Sequence, residues 1–287
     1  MSVLSRSGTV GSRRLAVFGL GLLGLALIFC LVAVAKTAPA PTSTPTLLFE
    51  DDFATPTLDQ STWSTCFWWA TTTCSIETNH ELQLYVKDDV LLEQNMLRLR
   101  AEHRQAKGWN GQTYRYTSGM VSTGGIASRT PAGFTFTYGY AEATVRVPAG
   151  QGLLPAVWML PADHASRPEI DIMEILGQQP TVTNMHYHWT AADGSPSDAE
   201  ASWEGPDFSA DWHTFGVDWQ PDALVWYVDG VERWRYTDAA TIPAQPMYLL
   251  LDLAVGGDYP GPPDASTAFP TSLDVARVRV WDSRPTG

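Results

Sequence analysis

Three carboxylates fall within six residues of one apolar run, Pro168-Glu169-Ile170-Asp171-Ile172-Met173-Glu174-Ile175. A carboxylate among β-branched neighbours is costly to bury unless it is paired or put to use. Two apposed carboxyl groups are what cleavage of a glycosidic bond needs. One attacks the sugar or activates water, and the other donates a proton. The isoleucines at 170, 172 and 175 favour a strand. Alternation then sets Glu169 and Asp171 on one face and Glu174 on the other. One extra residue, a β-bulge near Ile172–Met173, returns Glu174 to the face of its partners, and bulges are common beside active sites. Glu169 and Glu174 would then stand roughly 5–5.5 Å apart, the spacing of a retaining glycosidase. The plainer reading of the same residues is a solvated acidic face on an amphipathic strand or helix.

The elements that must hold such a cluster read as strands. Alternating segments recur at Met96–Glu102, Tyr138–Pro148, Thr183–Trp189, Thr214–Trp219, Ala223–Val228, Met247–Leu253 and Val275–Trp281. Turn signals separate them, among them Pro148-Ala149-Gly150 and Ala192-Asp193-Gly194. Val228-Asp229-Gly230-Val231 reads as a two-residue hairpin turn. No helix is expected after residue 46. Many short antiparallel strands predict an all-β fold, a two-sheet antiparallel sandwich. There is no internal repeat and no second domain.

Composition bounds the partners. The 287 residues carry a formal charge of −13. Residues 1–46 hold Arg6, Arg13, Arg14 and Lys36 and no acid, which leaves 14 cations against 31 acids, or −17, on the remainder. Such a body repels nucleic acid phosphates, and a neutral polysaccharide suits it better. Three arginines precede Leu15–Ala35, 21 mostly apolar residues without a charge. That length reaches across a bilayer, and the arginines would keep the short end in the cytoplasm. Residues 1–36 are therefore expected to form an apolar helix that serves as a signal anchor. Ala33-Val34-Ala35 offers the alternative of a cleaved signal peptide. Residues 37–46 read as a Pro/Thr-rich linker, and residues 47–287 as one exported catalytic domain. Cys66 and Cys74 are the only cysteines of that domain, and an oxidising compartment favours a disulfide between them. Its small loop would contribute about 2–3 kcal/mol in the chain-entropy model. No cysteine-based zinc pattern is present.

Beyond the carboxylates, several segments resemble glycoside hydrolase family 16, the laminarinase and lichenase group. They are Asn79-His80-Glu81-Leu82-Gln83, Tyr138-Gly139-Tyr140-Ala141-Glu142, Pro155-Ala156-Val157-Trp158-Met159-Leu160-Pro161, Trp212-His213-Thr214-Phe215, Trp226-Tyr227-Val228-Asp229-Gly230 and Leu251–Gly257. The match spans about Leu48–Trp281. It implies a jelly roll of the concanavalin-A type and an extracellular, endo-acting, retaining hydrolase of β-1,3- or mixed β-1,3/1,4-glucan. In that pattern Glu169 is the nucleophile and Glu174 the acid and then the base, with a carboxyl group raised by burial and by neighbouring charge. Asp171 hydrogen-bonds the nucleophile. His186 and His188 alternate on a strand expected beside the catalytic one, pointing at the sugar. Trp158, Glu142 and Asp252 match cleft positions, and Asn79 and Glu81 match a loop beside the donor subsites. His186 and His188 form a His-x-His pair that would also suit a metal, but with no third ligand evident no metal is expected at the site.

The chain departs from the family pattern in places that bear on the substrate. Many laminarinases have a Trp-Pro pair shortly before the catalytic motif, where this chain has Ala165-Ser166-Arg167-Pro168, so an aromatic platform is missing or supplied elsewhere. Ala276 stands where many members have an Asp that binds structural calcium, and only Glu50 remains as a ligand, so no cofactor is expected. A monomer is expected. The alternatives are a galactanase or transglycosylase on the same scaffold, or a lectin-like binding module. A pure binder has no physical need for both Glu169 and Glu174.

Overall fold

In the computed structural model the chain is described over residues 44–70, 73–125 and 132–285. The expected N-terminal apolar helix, and most of the expected linker, lie outside these residues. Thr46 already exchanges hydrogen bonds with Asp282. Its N–H reaches Oδ1 at 2.8 Å, and its carbonyl accepts from the Asp282 N–H at 3.0 Å. Among the described residues no helix is long and apolar enough to cross a membrane. The helical segments there are 3-10 turns at Glu77–Asn79 and Lys87–Asp89.

Two antiparallel sheets carry the fold. One runs in the order Val231–Tyr236, Leu224–Val228, His213–Trp219, Gly139–Arg146, Thr271–Trp281, Met96–Ala101, Val90–Glu93, with Leu47–Asp51 added on Thr271–Trp281. The other runs Pro196–Glu204, Val182–Thr190, Glu169–Glu174, Leu153–Pro161, Met247–Val255, Met120–Ser122. This is the all-β sandwich that the alternation predicts. A small parallel pair, Gln83–Tyr85 with Tyr116–Ser118, departs from it. The hairpin turn forms at Asp229-Gly230, with φ of 51° and 76° and Val228 opposite Val231. Two consecutive positive φ angles give the turn the twist that the flanking strands need, which is why Asp-Gly suits it.

Alternation also decides what the sandwich encloses. Val157, Met159, Leu249, Leu251 and Leu253 of the six-stranded sheet face inward. They meet Ala141, Ala143, Phe215, Val217 and Trp226 of the other sheet. Each such side chain contributes about 1.5–3 kcal/mol when fully buried, so a one-residue slip that turned the set outward is strongly opposed. The alternates Ala156, Trp158, Leu160, Tyr248 and Leu250 point to the far face, where Phe67, Leu84, Tyr85 and Tyr114 cover them in a second apolar cluster. Cys66 and Cys74 form a disulfide, with Cα atoms 5.7 Å apart, that closes the loop carrying Phe67 over this face. On the next two strands of the same sheet, Glu169–Glu174 and Val182–Thr190, the far-face positions are carboxylates and histidines instead.

Candidate active site

The bulge falls where the three carboxylates require it. On one side Ala156 stands opposite Glu174, Val157 opposite Met173 and Trp158 opposite Asp171. On the other side Asp171 faces His186 and Glu174 faces Asn184, three steps on one strand against two on its neighbour. Ile172 is the extra residue. Ile170, Ile172 and Met173 all lie in the core, so Glu169, Asp171 and Glu174 share the opposite face. The Trp226 indole reaches across from the other sheet and donates to the Asp171 carbonyl at 2.9 Å, bracing the strand where the bulge begins.

The next strand sets His188 opposite Glu169 and His186 opposite Asp171, as the His-x-His alternation predicts. His186 Nδ1 lies 2.6 Å from Glu174 Oε2, and its Nε2 lies 3.3 Å from Glu200. His188 Nε2 is 3.4 Å from Asp171 Oδ2. Asp252 is buried on Met247–Val255, two strands from the catalytic one across Leu153–Pro161, where its carboxylate accepts from the Trp158 indole and the Tyr85 hydroxyl, both at 2.7 Å.

These surroundings hold protons on the carboxyl groups. Burial pushes Glu169 up to about 8, and the Asp171 charge adds to the effect. Burial and then Glu174 push Asp171 well above the usual carboxylate range. Asp252 is raised by burial to about 6, with the bonds from Tyr85 and Trp158 working against the rise. Burial disfavours the His186 cation, but the Glu174 hydrogen bond and the nearby carboxylates outweigh it and lift the imidazole to about 9. Carboxyl groups this close release their protons as a set. The arrangement therefore offers a potential nucleophile, proton donors and a charged imidazole on one face.

The remaining expected residues divide. Asn79 joins Trp158 and Glu169 in lining a cavity of about 520 Å³ beside the trio. Trp158 is only 7% exposed and bonded to Asp252, so it forms the floor of that cavity rather than a free stacking surface. Glu81 Oε2 accepts from the Ile76 N–H at 3.0 Å and the Gln83 amide at 2.7 Å, within its own loop. Glu142 is a correction. Its strand belongs to the other sheet, pairing with His213–Trp219 and Thr271–Trp281. Ala141 and Ala143 take the inward positions, so Glu142 faces out on the far side of the sandwich, beside Tyr140. The Tyr-Ala-Glu motif shows the alternation but not which sheet the strand joins.

Two ion questions also meet the geometry. Glu50 is bonded to Arg279 at 2.7 Å, directly across its strand pair. A guanidinium thus takes up the Glu50 charge, and Ala276 has no side-chain oxygen to offer a calcium ion. At the catalytic strand Asp171, His186 and His188 bring donor atoms within 4.8 Å of one another. The sequence reading had only the two histidines, because the third group comes across the strand register. Both imidazoles are already engaged by carboxylates.

Sequence reasoning missed several residues near the trio. Trp68, Trp69 and His164 line the cavity at Glu169. Tyr259 is 46% exposed and stands edge-on to His186 at 6.3 Å. Burial and then Glu174 push its hydroxyl up to about 12. Three consecutive aromatics between two cysteines were the available signal for the first group.

The comparisons with known proteins agree with this geometry. The model of Glycosyl hydrolases family 16 matches residues 65–270. The chain is 33% identical over 252 residues to the Endo-1,3-1,4-beta-glycanase EglC of Rhizobium meliloti, covering 82% of this chain and 51% of that protein. It is 31% identical over 225 residues to the Beta-glucanase of Rhodothermus marinus, covering 71% and 74%. The solved endo-beta-1,3-glucanase from Pyrococcus furiosus superposes with a TM-score of 0.72 at 29% identity, over 83% of this chain and 94% of that one. The chain spans about half the length of the Rhizobium meliloti protein.

Proposed function

The chain belongs to glycosyl hydrolase family 16, and from that premise we propose that it is an endo-acting, retaining hydrolase of β-1,3- or mixed β-1,3/1,4-glucan. The observation that carries the reading is the bulge at Ile172, which gathers Glu169, Asp171 and Glu174 on one face. A Glu169 oxygen attacks the anomeric carbon while the bond to the glycosidic oxygen breaks, and Glu174 protonates that oxygen as it leaves. Glu169 then holds the sugar as an ester. Water attacks the same carbon, Glu174 takes its proton, and Glu169 departs as the carboxylate. Asp171, between them, takes part in the shared titration that sets which group is ionised. Two inversions leave the product in the β-configuration.

The relatives named for β-1,3- and β-1,3-1,4-glucan support the substrate class. The uncharged polymer also suits a body of net charge −17. The Cys66–Cys74 disulfide supports action outside the cytoplasm, after export by residues 1–36 as anchor or signal peptide.

The test is reducing-sugar release by the purified protein on laminarin, lichenan, agarose and xyloglucan, with Glu169→Gln as control. Release on laminarin or lichenan that the variant loses is the expected result. Release on agarose alone would make it a galactanase. Glycan binding without release on any polymer would make it a binding module. NMR of early products should show the β-anomer, and α-anomers first would overturn the nucleophile role of Glu169.

A further inference from the structure

The catalytic strand and its neighbour bring together three groups of the types that bind transition metals. His186 and His188 alternate on Val182–Thr190, so both rings stand on the catalytic face, with centroids 5.7 Å apart and planes 17° apart. Asp171 meets them from across the register, where it faces His186. One ligand atom from each of the three lies within 4.8 Å of the others. His188 Nε2 and Asp171 Oδ2 are 3.4 Å apart. Around a tetrahedral zinc, with bonds of about 2.0–2.1 Å, the ligand atoms stand about 3.3–3.4 Å from one another. That pair already has the spacing. The His186 nitrogen has to close by no more than about 1.5 Å to join a tetrahedral shell, within reach of an imidazole turning about its side-chain bonds.

Two features separate this group from a chance gathering of acids and imidazoles. Asp171 is only 4% exposed, yet among the described residues its carboxylate has no closer polar partner than His188 at 3.4 Å. A buried carboxylate without a strong donor is an unmet demand for positive charge. His186, for its part, has a carboxylate at each nitrogen, Glu174 at 2.6 Å from Nδ1 and Glu200 at 3.3 Å from Nε2. Whichever nitrogen turns to an ion, the other keeps a carboxylate, the arrangement by which proteins orient imidazoles that bind metals. His80 and His213 each meet one carboxylate, Asp258 and Asp229, and among the described residues no third donor gathers there. Two imidazoles and one carboxylate suit zinc, whereas calcium and magnesium demand oxygen ligands.

We propose that Asp171, His186 and His188 form a zinc site whose fourth position is open to water, and that zinc and glucan exclude each other. The ion stands on the face of the catalytic strand that the sugar must reach. It takes hold of Asp171, between Glu169 and Glu174, and of His186, the partner of Glu174. The site is therefore inhibitory, since the double displacement itself runs on the two glutamates. The exclusion rests on the reading of the protein as a β-glucanase, whereas the zinc site does not.

The experiment is calorimetry of zinc chloride on the tag-free protein and on its His188→Gln, Asp171→Asn and His80→Gln variants, with circular dichroism to confirm folding. One equivalent should bind the intact protein. His188→Gln and Asp171→Asn should each weaken binding by more than about 100-fold, since loss of even an outer partner of a metal ligand costs about 10- to 100-fold. His80→Gln should leave it unchanged. Cobalt(II) in place of zinc should give the visible absorption of a four-coordinate ion, and His188→Gln should lose it. No binding, calcium bound as tightly as zinc, or a zinc affinity that ignores both His188 and Asp171 would overturn the site. On laminarin, zinc should raise KM and leave kcat unchanged, and hydrolysis unimpeded by one bound equivalent would overturn the exclusion. Zinc binding that needs His188 in a protein that hydrolyses no glucan upholds the site and refutes the activity alone. Hydrolysis without zinc binding refutes the site alone.

Discussion

The 2.6 Å contact between His186 and Glu174 sets one limit on the activity. That contact helps to lift His186 to about 9, and the same hydrogen bond stabilises negative charge on the Glu174 oxygen that accepts it. Yet the first chemical step needs Glu174 protonated. The alkaline limb of the pH profile should therefore lie lower than it would without the imidazolium. The two side chains are 13% and 17% exposed, so solvent screening is limited. A charge-assisted hydrogen bond of this kind is about 1.5–3 kcal/mol, and 1.36 kcal/mol corresponds to one pH unit. His186→Ala should then move the alkaline limb upward by about 1–2 pH units. His186→Gln, which keeps a neutral donor, should move it by about half as much. The acid limb, which needs Glu169 ionised, should follow in the same direction by less, since His186 touches Glu174 directly. The assay is kcat/KM on a soluble β-glucan from pH 4 to 10, which reports the free enzyme, with circular dichroism to confirm folding. A limb that stays within about 0.3 unit of the parent in a folded, active His186→Ala protein, or one that moves down, would refute the reasoning.

Three other perturbations follow from the same contacts. Burial and then Asp252 push Glu81 up from 4.5 to about 8, so between those values the folded chain holds a proton that the unfolded chain has released, and stability falls as pH rises. Glu81→Gln should therefore raise the melting temperature at pH 8.5 and leave it unchanged at pH 4; an equal gain at both would refute the titration. Trp226→Phe leaves the Asp171 carbonyl without its indole donor, which should cost about 1–3 kcal/mol of stability and lower kcat. Denaturant melts that drop while kcat per folded molecule holds would remove the bracing role. Glu174→Gln should nearly abolish hydrolysis of glucan but spare bond cleavage in aryl glycosides with excellent leaving groups; equal loss on both would count against the proton donor.

The strands were legible because their residues repeat in twos, and the bulge because three carboxylates cannot otherwise share a face. The register that sets His186 opposite Asp171, within reach of Glu174, was legible only as a neighbour relation between two strands. Glu142 shows where alternation stops being informative. It gives in or out relative to one sheet, but the choice of sheet depends on pairings far along the chain, here with His213–Trp219 and Thr271–Trp281. Trp68 and Trp69 were hidden for a related reason. Their place beside the trio comes from lying over a strand some ninety residues away, a contact fixed by the disulfide and by Phe67 on Trp158. Arg279 was invisible as the partner of Glu50 until the first and last strands were seen to pair.

How this fold tolerates its buried acids also explains what they do. Away from the cleft, buried carboxylates are matched by guanidinium groups. Asp89 meets Arg100 at 3.0 Å and Arg104 at 2.9 Å. Asp274 meets Arg98 and Arg146 at 3.0 and 2.8 Å. Although burial acts to raise Asp274, the bonds from Arg146, Ser272 and Arg98 hold it below its ordinary value. A carboxylate paired in that way stays ionised and does no proton chemistry. Among the described residues no arginine or lysine forms an ion pair with Glu169, Asp171, Glu174 or Asp252. Their partners are imidazole, indole and phenol, which stabilise charge less completely, so Glu169 and Asp171 retain protons near neutrality. The same sandwich thus contains two kinds of buried acid, and the kind of donor opposite each one separates structural anchoring from exchangeable protons. Replacing His188 by Arg would convert one kind into the other. Its guanidinium should hold Asp171 and Glu169 ionised, shift the acid limb downward and lower the plateau activity, and a variant with an unmoved acid limb would show that the donor type is not what sets the difference.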